Sequence, residues 1–254
     1  MSIKKSLIAM AIAASAISSS AFASIDTSLL EGLKARNVGP ATTSGRISDV
    51  EAVISNPNII YAAAASGGIW KSVNAGLNWE PIFDEQDYAS IGALAINQSI
   101  PDIVWVGTGE GNVRNSVSIG GGIYKTLDGG KSWKKLGLEK TERINRIALH
   151  PTNPDIAYAA AMGELWGENE ERGVYKTVDG GKTWQKILYV NEKTGATDIR
   201  MDPTNPNKLY ASMWEYRRWP YRFESGGAGS GLFQMMVVKP GQKKQLPTVY
   251  LQVI

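Results

Sequence analysis

Four times along the chain a short apolar run follows a proline-containing turn. Ile59-Ile60-Tyr61-Ala62-Ala63 follows Asn56-Pro57-Asn58, and Ile103-Val104-Trp105-Val106-Gly107 follows Pro101-Asp102. Ile156-Ala157-Tyr158-Ala159-Ala160 follows Asn153-Pro154-Asp155, and Lys208-Leu209-Tyr210-Ala211-Ser212 follows Asn205-Pro206-Asn207. A second run recurs at a fixed offset: Gly68-Ile69-Trp70-Lys71-Ser72, Gly122-Ile123-Tyr124-Lys125-Thr126 and Gly173-Val174-Tyr175-Lys176-Thr177. Short runs rich in β-branched and aromatic residues, bounded by Pro, Gly and Asn, predict strands joined by tight turns. After each second run comes a polar glycine-containing turn and then a tryptophan, and Trp79, Trp133 and Trp184 are spaced by 54 and 51 residues. That period suits one four-stranded blade of a β-propeller, ordered strand, proline turn, strand, variable loop, strand, polar turn, strand. The expected fold is all-β, a propeller of three complete blades and a partial fourth.

Each position of the polar turn has a mechanical role. Asp128 and Asp179 can accept hydrogen bonds from backbone N–H groups of their own turn, while Gly130 and Gly181 permit positive φ. The hydroxyls of Thr126, Ser132, Thr177 and Thr183 close the polar network. Trp133 and Trp184 then start the outer strand, each with roughly 150–250 Å² of ring surface to bury. In the first unit Ser72, Gly76 and Trp79 are retained, but Asn74 and Asn78 replace the acid and the hydroxyl, which predicts a weaker turn of the same shape. His150, the chain's single histidine, stands in HPTNP where Asp202 stands in DPTNP, so it reads as a turn cap.

Composition narrows the chemistry. With one histidine and no cysteine, neither a Ser/His/Asp apparatus nor a His- or Cys-based zinc site has a basis, and no metal or cofactor is expected. The net charge of +3 is scattered, which gives nucleic-acid binding no support. Lys4 and Lys5 precede an uncharged stretch from Leu7 to Ile17 and then Ala21-Phe22-Ala23, the pattern of a secretory signal peptide. The stretch is shorter than the roughly 20 residues needed to span a bilayer. The expected organisation is a signal peptide at 1–23, a lead-in at 24–37, blades at 38–233 and an aberrant tail at 234–254, with export to a periplasmic or extracellular location.

The pattern Ser/Thr-x-Asp-x-Gly-x-Ser/Thr-Trp resembles the Asp-box, or BNR, repeats of sialidases, of certain xyloglucan-cleaving glycosidases and of the sortilin ectodomain. Gly39 to Ile47 (GPATTSGRI), ASGGIWKS and GTGEGN look most like a group of large secreted bacterial Asp-box proteins, often labelled sortilin-like or glycosyl hydrolase. The resemblance spans roughly Leu33 to Phe233. It implies the propeller fold. Asp-boxes recur in enzymes and binding proteins alike, so it does not fix an activity.

Site residues are sought on the face away from the Asp-box turns, where three long loops begin at Gly107, Met162 and Met213. Arg46, Arg114, Arg143, Trp166, Trp214, Arg217 and Trp219 are the candidate ligand contacts there, suited to a glycan, peptide or protein partner. Two readings of the tryptophans stand: they meet a ligand, or they pack the loops together. The inner-strand charges Arg46, Arg143, Asp49, Arg146 and Asp198 either meet an anion or pair between blades. A glycosidase would need two carboxylates across a cleft, and Glu110 and Glu164 are the candidates. The leading expectation is a non-catalytic secreted binding module. A sialidase- or xyloglucanase-like domain fragment is the alternative.

The fourth unit keeps Gly231-Leu232-Phe233 and then abandons the pattern. Met235-Met236 is encoded ATG ATG, and a frame shifted by two bases reads Asp-Gly there. A frameshift near Phe233 is therefore expected to have replaced the fourth Asp-box, leaving Gln234 to Ile254 without selected structure and the ring unclosed, with exposed sheet edges prone to aggregation.

Overall fold

The proline turns and polar turns reverse the chain where the pattern places them, and the result is four antiparallel sheets in succession. The computed structural model describes residues 46–236 and the backbone of Tyr250–Leu251. The predicted signal peptide, the lead-in and most of the GPATTSGRI segment lie outside the described residues. The first sheet is β1 (Ile47–Ala52), β2 (Ile60–Ala64), β3 (Ile69–Ser72) and β4 (Glu80–Pro81), in that order. The second is β5 (Ile91–Ile96), β6 (Val104–Thr108), β7 (Ile123–Thr126) and β8 (Lys134–Lys135). The third is β9 (Ile144–Leu149), β10 (Ala157–Ala161), β11 (Gly173–Thr177) and β12 (Gln185–Leu188). The fourth joins β13 (Thr194–Asp202), β14 (Asn205–Arg218), β16 (Gly231–Met236) and β17 (Tyr250–Leu251), with β15 (Phe223–Ser225) pairing the far end of β14.

Strand alternation gives each sheet two apolar faces, and the facing sides of successive sheets pack together. Tyr61, Ala63 and Ile69 of the first blade meet Leu94, Val104 and Val106 of the second. Ala93, Trp105 and Ile123 meet Ile144, Ala157 and Ala159 of the third, and Tyr158, Ala160 and Val174 meet Leu209, Ala211 and Phe233 of the fourth. Small residues are needed where the inner strands converge: a Cβ added at Gly107 would lie 2.5 Å from Ile144 Cγ2.

The Asp-box turns form as their chemistry predicts. Asp128 Oδ1 accepts the backbone N–H groups of Lys131 and Ser132 at 2.9 Å and the Thr126 hydroxyl at 2.6 Å. Asp179 Oδ1 accepts the N–H of Thr183 at 2.9 Å and the Thr177 hydroxyl at 2.8 Å. In the first blade Asn74 Oδ1 does the same work for the Ser72 hydroxyl at 3.0 Å and the Asn78 N–H at 2.9 Å. The tryptophan that follows then reaches into the preceding blade. Trp133 Nε1 donates to the Ile82 carbonyl and Trp184 Nε1 to the Leu136 carbonyl, both at 2.7 Å, and the Trp133 ring sits edge-on to Phe83 at 5.1 Å. His150 caps its turn as expected, its Nδ1 accepting the N–H of Thr152 and of Asn153 at 3.3 and 3.2 Å, as Asp202 does for Thr204 and Asn205 at 2.9 and 3.2 Å.

The fourth blade keeps strand structure a little past Phe233. Its third strand runs on through Met236, with Met235 buried against Leu209 and Ala211, and Phe233 and Gln234 pair with Leu251 and Tyr250 of β17. By register Met235 stands where Ser72, Thr126 and Thr177 stand in the other blades. A thioether fits that buried strand position but cannot accept the turn's N–H groups, so blade packing continues where the Asp-box stops.

Candidate functional site

Each β2–β3-type connection emerges on the same side as the blade-to-blade links, because antiparallel strands alternate direction. The Asp-box turns lie at the other end, tied to the proline turns of their own blades: the N–H of Gly129 donates to the Asp102 carbonyl and that of Gly180 to Asp155, at 2.9 and 3.0 Å. On the axis-facing strands Arg146 bridges Asp198 at 3.1 Å and Asp49 at 3.3 Å, and Asp49 also accepts the Leu94 N–H at 3.0 Å. Inner-strand charges at this position thus pair between blades, one of the two readings left open by sequence.

Arg46 and Glu110 form a second such pair. The Arg46 guanidinium grips both carboxylate oxygens, with Nε–Oε1 at 2.7 Å, and Glu110 is 1% exposed. The hydrogen bond that Arg46 donates to Glu110 raises the arginine's pKa above its ordinary value. Buried and held on both oxygens, Glu110 acts as an ion-pair partner of Arg46 in this structure, where the sequence had offered it as a catalytic carboxylate. Glu164 is half-buried, and its backbone carbonyl is the busier group. It accepts from Arg143 and Arg172 at 3.0 Å and from the Tyr216 hydroxyl at 3.1 Å.

Arg143 requires a second correction, because it is wholly buried and reaches no ligand-accessible surface. Its Nε donates to the Gly163 carbonyl at 2.7 Å and its Nη2 to the Tyr216 hydroxyl. Arg172, equally buried, donates to the carbonyls of Lys193 at 2.7 Å and Gly167 at 2.8 Å, and its guanidinium lies 4.3 Å from the centre of the Tyr216 ring. Burial lowers the pKa of both arginines. Two guanidiniums and one tyrosine therefore lash the loop after β10 to the start of β9 and to β14.

Trp214 is half-buried and packs on its own loop, 4.9 Å from Tyr216 and 5.8 Å from Phe223, and donates its Nε1 to Ser225 Oγ at 3.2 Å. Trp166 and Arg114 stand at the surface on separate loops. Arg217 and Trp219 share one cavity of about 200 Å³, lined also by Glu168, Lys193, Glu215 and Glu224. Within it Glu168 pairs with Lys193 at 3.7 Å, Glu224 with Arg222, and Glu215 accepts the Gly229 N–H at 2.8 Å. The guanidiniums of Arg217 and Arg222 lie 5.1 and 5.7 Å from the Trp219 ring centre, and Arg217 Nη1 is buried without a hydrogen-bond partner among the described residues. Sequence reasoning missed Tyr216 and the role of Arg172. The inward alternation Leu209, Ala211, Met213 breaks phase before Tyr216, so no period-two pattern points to it.

No helix among the described residues is long and apolar enough to cross a membrane. Residues 121–223 match the sortilin (Vps10) family, described as sortilin, neurotensin receptor 3. A probable oligoxyloglucan-reducing end-specific xyloglucanase of Neosartorya fischeri is 24% identical over 73% of this chain and 20% of its own length. The vacuolar protein sorting/targeting protein 10 of Sordaria macrospora is 27% identical over 51% of the chain and 8% of its own length. The chain thus spans a fifth or less of these two relatives. Among solved structures, a GH74 enzyme of Niastella koreensis superposes with a TM-score of 0.56 at 21% identity, covering 80% of this chain and 29% of that one. An ancestral GH74 enzyme gives 0.53 at 17% identity, covering 82% and 33%. These likenesses establish the propeller fold.

Proposed function

We propose that this chain, similar to the sortilin (Vps10) family over residues 121–223, is an exported, non-catalytic propeller unit whose loop face holds a glycan. The observation that carries this reading is the cavity where Trp219 offers a ring face and Arg217 a buried donor, between acids that already have partners. Aromatic faces with a few fixed polar groups suit sugar rings, whose C–H faces are apolar and whose rims bear hydroxyls. Glu110, locked to Arg46, supports binding over hydrolysis. The charged start and apolar stretch of the N-terminus support export.

A second reading, a fragment of a glycoside hydrolase, is favoured by the similarity to proteins named as xyloglucanases and by Glu164 beside the loop latch. Calorimetric titration with xyloglucan oligosaccharides, run beside a reducing-sugar assay, separates the two. Binding that weakens in Trp219→Ala, with no sugar released, supports the module. Release abolished by Glu164→Gln supports the hydrolase. The absence of both binding and release sinks the glycan reading.

A further inference from the structure

Successive blades pack in one register, yet the first two seams differ in charge. Where the first blade meets the second, Lys71 stands opposite Glu80 across β3 and β4, and its ammonium donates to the Gly129 carbonyl of the next blade at 2.8 Å. Where the second meets the third, Lys125 stands opposite Lys134 across β7 and β8, and its ammonium has no hydrogen-bond acceptor among the described residues. Like charges directly opposite in an antiparallel pair are destabilising. Lys182, in the Asp-box turn of the third blade, brings a third ammonium to the same groove, and none of the three forms an ion pair among the described residues.

The groove measures about 320 Å³ and has an apolar wall in Leu127 and Leu136. Leu127, in the Asp-box turn of the second blade, is 67% exposed. The two blades that form the groove are complete four-stranded sheets, so it belongs to an internal seam. Trp105 holds Lys125 in place, with the ammonium 4.3 Å from the centre of the buried ring, and burial lowers the lysine's pKa against an opposing pull from Asp155. The carboxylates that share the groove have other work. Asp179 accepts the hydroxyls of Thr177 and Thr183 at 2.8 and 2.6 Å, and Asp155 Oδ1 lies 3.0 Å from the Cβ position of Gly180, against the turn's backbone.

We propose that this groove between the second and third blades binds a phosphate monoester, its phosphate among Lys125, Lys134 and Lys182 and its aliphatic part along Leu127 and Leu136. Lysine ammoniums are point charges on flexible stems and suit a compact dianion, whereas a planar carboxylate matches the fork of an arginine. A phosphate monoester carries nearly two negative charges at neutral pH, enough to serve several ammoniums at once. The groove lies at the Asp-box end of the blades, away from the loop-face cavity of Trp219, and its ligand is independent of any glycan held there.

The test is calorimetric titration of the purified protein with butyl phosphate at about pH 7.5, above the second phosphate ionisation near 6. Saturable binding is expected, and inorganic phosphate is expected to bind more weakly. Lys134→Glu and Lys182→Glu should each weaken butyl phosphate binding about tenfold, because a repelling carboxylate replaces an ammonium. Both side chains are exposed, the first blade already folds with Glu80 at the position of Lys134, and far-UV circular dichroism confirms the fold of each variant. Lys131→Glu makes the same charge change at the first seam, where Lys131 matches Lys182, and is expected to leave binding unchanged. The absence of saturable binding up to about 10 mM, ten times the Kd of a millimolar site, overturns the proposal. So does an equal loss in Lys131→Glu, which would reduce the effect to net charge, or inorganic phosphate that binds as tightly as the ester, which would take the leucines out of the site.

Discussion

The two ends of a blade are held by different chemistry. At the Asp-box end the motif's own side chains find their partners within four residues of sequence, as when Asp128 serves Thr126, Lys131 and Ser132. At the loop end Arg143 and Arg172 find their acceptors at Gly163, Glu164, Gly167 and Lys193, with Tyr216 contributed from β14. A local network can be copied from blade to blade by a short motif. A network assembled from distant segments exists once, and it leaves the neighbouring loops free to vary around it, which is where a rigid scaffold can carry a ligand.

The sharpest way to break the comparison is at the repeated end. Trp184→Ala removes a half-buried ring and its bond to Leu136, and it is expected to lower stability by about 3 kcal/mol. Trp79→Ala, the same substitution at a ring 38% exposed on the first described blade, is expected to cost less than about 1 kcal/mol. Urea unfolding followed by circular dichroism reads both. Equal losses would mean that the tryptophan acts within its own blade and does not join two.

This asymmetry marks how far the sequence could be read. The blades, their strand order, the polar turns and the His150 and Asp202 caps were legible because each rests on contacts between residues close in sequence. The Arg146 bridge was half legible: aligning inner strands brings Asp49, Arg146 and Asp198 to one level without saying whether they pair. The loop latch was not legible. Arg143 read as a ligand contact or an inter-blade pair and Trp214 as a ligand contact or a loop-packing ring, and what decides both is Tyr216, whose inward position follows a break in strand alternation. The continuation of β16 through Met235 was hidden by the lost motif, since burial at that position tolerates a methionine where the turn chemistry does not.

At the loop end, Arg143→Met keeps the volume but leaves the Gly163 carbonyl and the Tyr216 hydroxyl without their donor, and the expected loss is about 2 kcal/mol. Amide exchange should quicken in residues 162–172 while the Asp-box turns stay protected; uniform quickening would deny that the latch is a separate device. The Asp-box turns respond instead to pH. Hydrogen bonds, first from the hydroxyls of Ser132 and Thr183, hold the Asp128 and Asp179 carboxyls well below the usual carboxylate range. A depressed folded pKa means that their contribution is complete above the ordinary value of about 4 and is lost as pH falls through the lower folded value. Asp128→Asn should therefore flatten the acid limb of stability against pH, and Asn74→Asp should steepen it. An unchanged limb in both would remove the carboxylates from the account of acid unfolding.

The smallest effect on folding is expected where the consequence for binding is largest. Trp219 is outside the three buried clusters and holds no other blade, and its ring meets Arg217 and Arg222 at the cavity wall. Trp219→Ala should leave stability within about 0.5 kcal/mol of the parent, as surface substitutions do. Loss of a stacking face should weaken xyloglucan-oligosaccharide affinity about tenfold, a change of about 1.4 kcal/mol. Trp166→Ala, exposed on a separate loop, is the control for a generic aromatic effect. If Trp219→Ala unfolds the fourth blade, the ring is a packing residue like Trp214. If both variants weaken binding equally, the ligand spreads over the loop face and the cavity is not its seat.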